Sequence, residues 1–287
     1  MLSFCIKFVL SVLLFWPASV YSGTHGGSNG YVSPQKIWGD DQPRGRPQWL
    51  EHAVSVSDSR EEAPMIAIVI DDLGVNKKMT KAALSLPAPI TASFLSYADD
   101  LEQQTEYARK KGHELLLHTP MEPVDPDFYP GPNALKAGMS AEEIRELLEL
   151  MLESFDGYVG INNHMGSKFT SDDKSVSVIM DELKKRGLMF LDSLTSPESV
   201  AWKQARSKHV PYAVRDVFLD NSRNQTDIMK QLSLLEKLAA GNHVAVAIGH
   251  PHKETIRALA KWIPLAKEKG FVFVPVSMIA LIRQKDY

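Results

Sequence analysis

The amino-acid sequence predicts an α/β fold, a single (β/α) barrel domain, and three observations carry that prediction. Short apolar runs rich in β-branched residues alternate with longer segments of helical period, the pattern of repeated strand–helix units around a parallel sheet. The runs Ile66-Ala67-Ile68-Val69-Ile70 and Val244-Ala245-Val246-Ala247-Ile248 are continuously apolar, as strands buried on both faces must be. Metal-capable and acid–base residues follow the ends of these runs, where parallel α/β folds collect their chemistry.

The chain opens on Lys7, an apolar run at 8–16 and small residues at 18–23, the order of a secretory signal with cleavage after Ser22. The apolar run is too short to span a bilayer comfortably. Residues 1–22 are therefore expected to be a signal peptide, and the mature protein to be exported and periplasmic without stable membrane insertion. Cys5 is the only cysteine and lies in that segment, so the mature chain has no disulfide, cysteine nucleophile or thiolate metal site. Residues 23–63 are rich in Gly, Ser, Pro, Gln and charge and read as a flexible linker. Residues 64–287 suffice for one large domain. A net charge of −3 with scattered basic residues gives no ground for a nucleic-acid partner.

Strands are expected at 65–70, 91–95, 114–117, 158–161, 188–191, 212–214, 243–248 and 271–274. Ser140 and Glu143 form a capping box for a helix at 141–154, with Ile144, Leu147, Leu148 and Met151 on one face. Ser171 or Asp172 caps the next helix, which runs to Lys185 and stops at Gly187. Thr226 caps a third that ends near Gly241, and a fourth spans 253–269, where Pro264 should kink or interrupt it. Residues 120–138 carry Pro120, Pro123, Pro126, Pro130 and Pro132 without helical period. They are expected to form a long surface loop, a candidate wall for a substrate cleft.

Strand one is followed by Asp71-Asp72, strand three by His118, strand four by Asn162-Asn163-His164, strand five by Asp192 and strand seven by Gly249-His250-Pro251-His252. Only one aspartate of an adjacent pair can cap a helix. The other sits beside a buried strand end and needs a partner, and a cation is the obvious one. His118 taken alone also fits the plainer role of bonding a backbone carbonyl. His164 lies in a segment made polar by Asn162, Asn163 and Ser167, and His250 lies between Gly249 and Pro251, which fix a tight turn. His252 reads as solvent-facing, and His52, His113, His209 and His243 as structural or surface residues. The gathered residues meet the needs of a hydrolytic metal centre: imidazole and carboxylate ligands leave a position open for water, with a carboxylate as base and an imidazole as acid. Ligands drawn from His, Asp and Glu suit zinc or another divalent ion. Glycoside hydrolysis by paired carboxylates ranks last, because adjacent side chains at a strand end should point in different directions.

At these residues the sequence resembles the polysaccharide deacetylases of the NodB-homology group, and more closely their divergent branch in bacterial envelopes. The resemblance runs from about Ile66 to Arg283. It is carried by Ile68-Val69-Ile70-Asp71-Asp72-Leu73-Gly74, Leu116-Leu117-His118-Thr119-Pro120-Met121-Glu122-Pro123, Asn162-Asn163-His164-Met165-Gly166-Ser167, Leu191-Asp192-Ser193 and Ile248-Gly249-His250-Pro251. It implies a distorted (β/α) barrel that uses a divalent metal, commonly zinc, to hydrolyse N- or O-acetyl groups on an envelope polysaccharide or peptidoglycan. It also implies Asp71 as the base, Asp72 as a metal ligand and His250 as the acid. The main group places two metal histidines four residues apart, whereas this chain has His118 and then Glu122. The remaining ligand is Glu122 or His164, and His164 is preferred because a strand end holds it rigidly. Glu122, Asn162, Asn163 and Asp192 are expected to bind substrate. The arginine segment that orients the base in the main group has no counterpart, and Lys168 is the nearest substitute. A second function class keeps the fold without catalysis: a periplasmic glycan-binding or assembly protein.

Overall fold

The computed structural model describes residues 46–56, 63–87 and 89–284, so the expected signal peptide and much of the expected linker lie outside the described residues. Strands β1 (Met65–Leu73), β2 (Thr91–Leu95), β3 (Glu114–Met121), β4 (Gly160–Met165), β5 (Met189–Asp192), β6 (Tyr212–Val214), β7 (Val217–Phe218), β8 (Val244–Gly249) and β9 (Val272–Phe273) form one parallel sheet. Its order is β6-β5-β4-β3-β2-β1-β8-β7, with β9 pairing to β1. The sheet curls into the distorted barrel expected of the chain.

The distortion is concentrated at residues 212–218. Their first half pairs with β5 and their second with β8, and Arg215 N and Asp216 N reach the carbonyls of Asp192 and Val246. One kinked segment thus touches both ends of the curled sheet. Sequence reasoning missed β7 because two residues leave no periodicity to detect.

The expected eight strands are present, but their ends differ. β1, β3 and β4 run on through residues expected to follow them, because Asn162 pairs with His118 and His164 with Pro120 inside the ladder. β1 separates the two cores. Ile66, Ile68 and Ile70 pack outward against the helices, and Ala67 and Val69 face the barrel interior with Leu116, Leu191, Val246 and Ile248.

Helices α1 (Gln48–Glu51), α2 (Lys77–Ala83), α3 (Leu101–Lys110), α4 (Ala141–Leu152), α5 (Asp173–Arg186), α6 (Ala201–Lys208), α7 (Gln225–Asn242), α8 (Lys253–Glu268) and α9 (Val276–Gln284) accompany the sheet. The Ser140–Glu143 capping box starts α4 as expected, and Asp172 caps α5, which ends at Gly187 in the left-handed conformation. Two details differ. Asn224, two residues before Thr226, caps α7 by accepting from Thr226 N at 2.8 Å. α8 runs through Pro264 uninterrupted, because Pro264 and Ala260 both lie on the exposed face, where water can reach the carbonyl that proline leaves unpaired.

A larger correction concerns the linker. The described part of 23–63 is packed: Trp49 and Leu50 are fully buried and join Ala53 and Val56 in the interior cluster. Trp49 N donates to Gly187 O, and Val54 N donates to Glu114 Oε2. With α9, whose Val276 N donates to Thr91 Oγ1, this segment stoppers the end of the barrel where the strands begin. The opposite end is left to the site. Among the described residues no helix is long and apolar enough to cross a membrane.

Candidate metal centre

Asp71 and Asp72 occupy a bulge in β1, where Ile70 pairs with Ala92 and Leu73 with Phe94, leaving one extra residue on β1. Asp72 adopts φ +57°, a left-handed conformation that aspartate tolerates better than most side chains. Regular alternation would send the two carboxylates to opposite faces. The bulge instead turns both toward His118, whose Nε2 lies 3.8 Å from Asp71 Oδ2 and 3.2 Å from Asp72 Oδ1. The expectation that the pair points apart is thereby corrected.

His164 arrives from β4, level with Pro120 and two positions beyond His118, so both rings stand on one face of the ladder. Its Nδ1 lies 2.9 Å from Asp72 Oδ1 and 3.1 Å from His118 Nε2, with the two rings edge to face. The protonation of His118 follows from its other nitrogen. Asn162 turns its amide NH₂ to Asp71 Oδ1 at 2.8 Å, because a carboxylate can only accept. Its Oδ1 is therefore left to accept from His118 Nδ1 at 2.9 Å and from Ser93 Oγ at 2.6 Å. A neutral His118 protonated on Nδ1 presents a bare lone pair at Nε2.

Three donor atoms, Asp72 Oδ1, His118 Nε2 and His164 Nδ1, thus crowd one point, and Asp72 Oδ1 is buried with no hydrogen bond aimed at it. Such an atom is costly to bury unless something positive meets it. Tetrahedral zinc with bonds of about 2.0–2.1 Å sets its ligand atoms roughly 3.3 Å apart, close to the spacings here. The donor set fits a divalent cation. Burial raises the Asp72 carboxyl, and positive charge at the neighbouring His118 and His164 rings outweighs it and lowers the group well below the usual carboxylate range; a divalent cation between neutral rings would supply the same charge.

His250 faces this cluster from the end of β8. Its Nε2 lies 3.9 Å from Asp72 Oδ2, and its Nδ1 lies 2.9 Å from Asp220 Oδ1. Asp220 Oδ2 accepts from His250 N and Thr255 Oγ1, each at 2.7 Å, so the buried carboxylate fixes the imidazole from behind. Burial lowers the His250 pKa, but Asp220 and the charges of Asp72 and Asp71 carry it up to about 9. Phe218 packs 5.3 Å from the His250 ring, and the Arg215 guanidinium lies over the other partner of that contact, 5.3 Å from Phe218. His250, Asp220 and His252 form a second group with metal-ligand character, and the rings of His250 and His252 stack at 5.8 Å.

The other residues singled out by sequence form the frame of the site. Asn162 and Asn163 are buried. Asn163 accepts from Ser193 N at 2.9 Å and donates to Met165 O at 2.8 Å. Asp192 is buried and accepts from Leu194 N and Ser199 Oγ. Glu122 lies outside the donor cluster, pairing with Lys168 at 2.8 Å and accepting from Ala137 N at 2.9 Å, so His164 stands where Glu122 was the alternative. Lys168 is thereby committed to Glu122. Arg215 carries a charge that interacts with Asp71, while its Nε and Nη2 donate to the carbonyls of Ser193 and Leu194 at 2.7 Å. Burial depresses the Arg215 pKa, opposed by the charges of Asp192, Asp216 and Asp71. Sequence reasoning passed over Arg215, Phe218 and Asp220 together, since all three hang on the undetected β7.

Comparison with known proteins finds relatives across most of the domain. The divergent polysaccharide deacetylase family matches residues 68–280. The uncharacterized protein YibQ of Escherichia coli is 36% identical over 201 residues, 70% of this chain and 63% of its own length. An uncharacterized protein of Haemophilus influenzae is 34% identical over 194 residues, 68% of this chain and 69% of its own. The crystal structure of an uncharacterized Agrobacterium tumefaciens protein superposes with a TM-score of 0.79 at 30% identity, covering 83% of this chain and 97% of that one. The chain belongs to the divergent polysaccharide deacetylase family.

Proposed function

We propose that this protein is an exported, periplasmic, metal-dependent hydrolase that removes N- or O-acetyl groups from an envelope polysaccharide or peptidoglycan. The observation that carries the reading is the buried, unsatisfied Asp72 Oδ1 set within 3.2 Å of His118 Nε2 and His164 Nδ1. Zinc is the cation this nitrogen–oxygen set suits best. A divalent cation held by Asp72, His118 and His164 would lower the pKa of a bound water and stabilise the charge that develops on the acetyl oxygen.

The chain's own residues supply the proton transfers. Asp71 accepts a proton from the attacking water, with Asn162 holding one carboxylate oxygen so that the other faces the site. Water oxygen bonds to the acetyl carbon, the carbon–nitrogen or carbon–oxygen bond breaks, and acetate leaves. His250 Nε2 donates the proton that the departing amine or alkoxide needs, and Asp220 keeps that imidazole oriented and charged. Arg215 and Phe218 brace the two sides of the site from the kinked segment.

The test is acetate release from acetylated glycans by metal-loaded protein, compared with the Asp71→Asn variant. Catalysis predicts that release collapses in the variant while glycan binding persists. A purely binding protein predicts no release from either and unchanged cellular function.

A further inference from the structure

His250 stands between two groups of donor atoms, offering Nε2 to the proposed metal centre and Nδ1 to Asp220. On the Asp220 side, one ligand atom each of Asp220, His250 and His252 lie within 4.8 Å of one another. The turn at Pro251 creates this proximity. His252 N donates to His250 O at 2.7 Å, and the two rings stack with centroids 5.8 Å apart.

The proton transfers proposed above use Asp220 and His250 but leave His252 idle. It is half-buried at the N-cap of α8, and among the described residues its side chain makes no hydrogen bond. Asn76, Ser140, Asp172 and Asn224, by contrast, cap α2, α4, α5 and α7 through their side chains. An imidazole free to turn therefore lies beside a carboxylate whose side chain is fully buried. Asp220 Oδ2 accepts two bonds, from His250 N and Thr255 Oγ1, whereas Oδ1 meets only His250 Nδ1. One carboxylate oxygen and two imidazoles make a donor set that suits zinc.

We infer that Asp220, His250 and His252 form a second, weaker divalent-cation site whose occupancy silences the proton donor, so that excess zinc inhibits acetate release. The cation takes the Nδ1 lone pair of His250, the proton that stood there goes to solvent, and the ring is left neutral with its one proton on Nε2. A neutral imidazole is too weak an acid to protonate a departing amine or alkoxide. Two features make this the weaker site. The cation must displace a proton, whereas Asp72 Oδ1 stands without a hydrogen bond. The positive end of α8 and the charge of Arg223, which reaches His252, also oppose it. The inhibition rests on the hydrolase reading, and the cation site does not.

The test is equilibrium dialysis against rising zinc, with metal counted per chain, for the unaltered protein and for His252→Asn, which removes the imidazole and supplies a good helix cap. The unaltered protein is expected to take up a second equivalent at least about tenfold more weakly than the first. The variant stops at one equivalent with its melting temperature maintained. Acetate release by the unaltered protein falls as the second equivalent binds, while the variant starts from the same release and resists the excess. One equivalent in both proteins, a second equivalent that survives the substitution, or release that persists with the second equivalent bound overturns the proposal. If the second equivalent binds and is lost as expected but neither protein releases acetate, the hydrolase reading fails and the cation site stands. Release that collapses in Asp71→Asn yet is indifferent to excess zinc does the reverse.

Discussion

Asn162 donates to Asp71 at 2.8 Å while accepting from His118 at 2.9 Å, so one buried amide sets both the orientation of the proposed base and the tautomer of a proposed ligand. Replacing it with leucine, similar in size and unable to hydrogen-bond, frees the His118 ring to turn and removes the donor to Asp71. Metal affinity is expected to fall roughly 10–100-fold, the usual effect of losing a group that orients a metal-binding histidine. Competition with a fluorescent chelator measures this directly, and unchanged affinity would show that Asn162 only fills space.

Asp220 is to His250 what Asn162 is to His118. The Asp220→Asn change removes the negative charge beside the imidazole and places an NH₂ among groups that all donate: His250 N, Thr255 Oγ1 and His250 Nδ1. Acetate release is expected to fall on the order of 10²-fold in kcat with little change in KM, since the proton donor alone is weakened. Equal losses in an Asp220→Asn/His250→Ala double variant and in His250→Ala alone would confirm that Asp220 acts through His250.

At the other end of the barrel, burial pushes the Glu114 carboxyl up to about 7, against hydrogen bonds from Ser277, Val54 and Thr91 that favour its charged form. A folded pKa above the unfolded value of 4.5 means that this contribution to stability is full below pH 4.5 and is lost as pH rises through 7. The loss amounts to about 3 kcal/mol. Urea unfolding at several pH values should show stability falling across this window, and Glu114→Gln should flatten the slope whatever its effect on absolute stability. Parallel slopes in the two proteins would contradict the assignment.

Trp49 is 1% exposed at the stoppered end of the barrel. Trp49→Ala should cost about 3–5 kcal/mol, the penalty of emptying a fully packed aromatic site. Thermal melting tests it; a change confined to a few tenths would mean that residues 46–56 are dispensable to the domain.

Much of the fold was legible because buried parallel strands must be apolar, and 65–70 and 243–248 are apolar throughout. The placement of polar residues after strands likewise pointed to Asp71, Asp72, His118, His164 and His250, which the structure gathers within one face of the barrel. What escaped detection has a physical cause in each case. A bulge with φ +57° at Asp72 turns two neighbours to one side, and no composition or period encodes that turn. β7 spans two residues, so Asp220, which ends the same stretch, was never read as a strand-end acid. Asn162, Asn163 and Asp192 have the chemistry of substrate contacts but lie buried among donors and acceptors of their own protein, a distinction that depends on tertiary packing. Trp49 and Leu50 follow Pro43, Gly45 and Pro47, and the Gly-, Ser- and Pro-rich composition of the whole stretch masks a short apolar segment whose burial depends on tertiary contacts.

The central claim is that Asp72, His118 and His164 hold a divalent cation. Elemental analysis of protein purified without chelators, alongside the Asp72→Asn and His118→Ala variants, tests it most directly. The account predicts one equivalent of a divalent metal, zinc foremost, in the unaltered protein and a loss of most of it in both variants. Unaltered protein that carries no metal and takes up none when zinc is offered would contradict it.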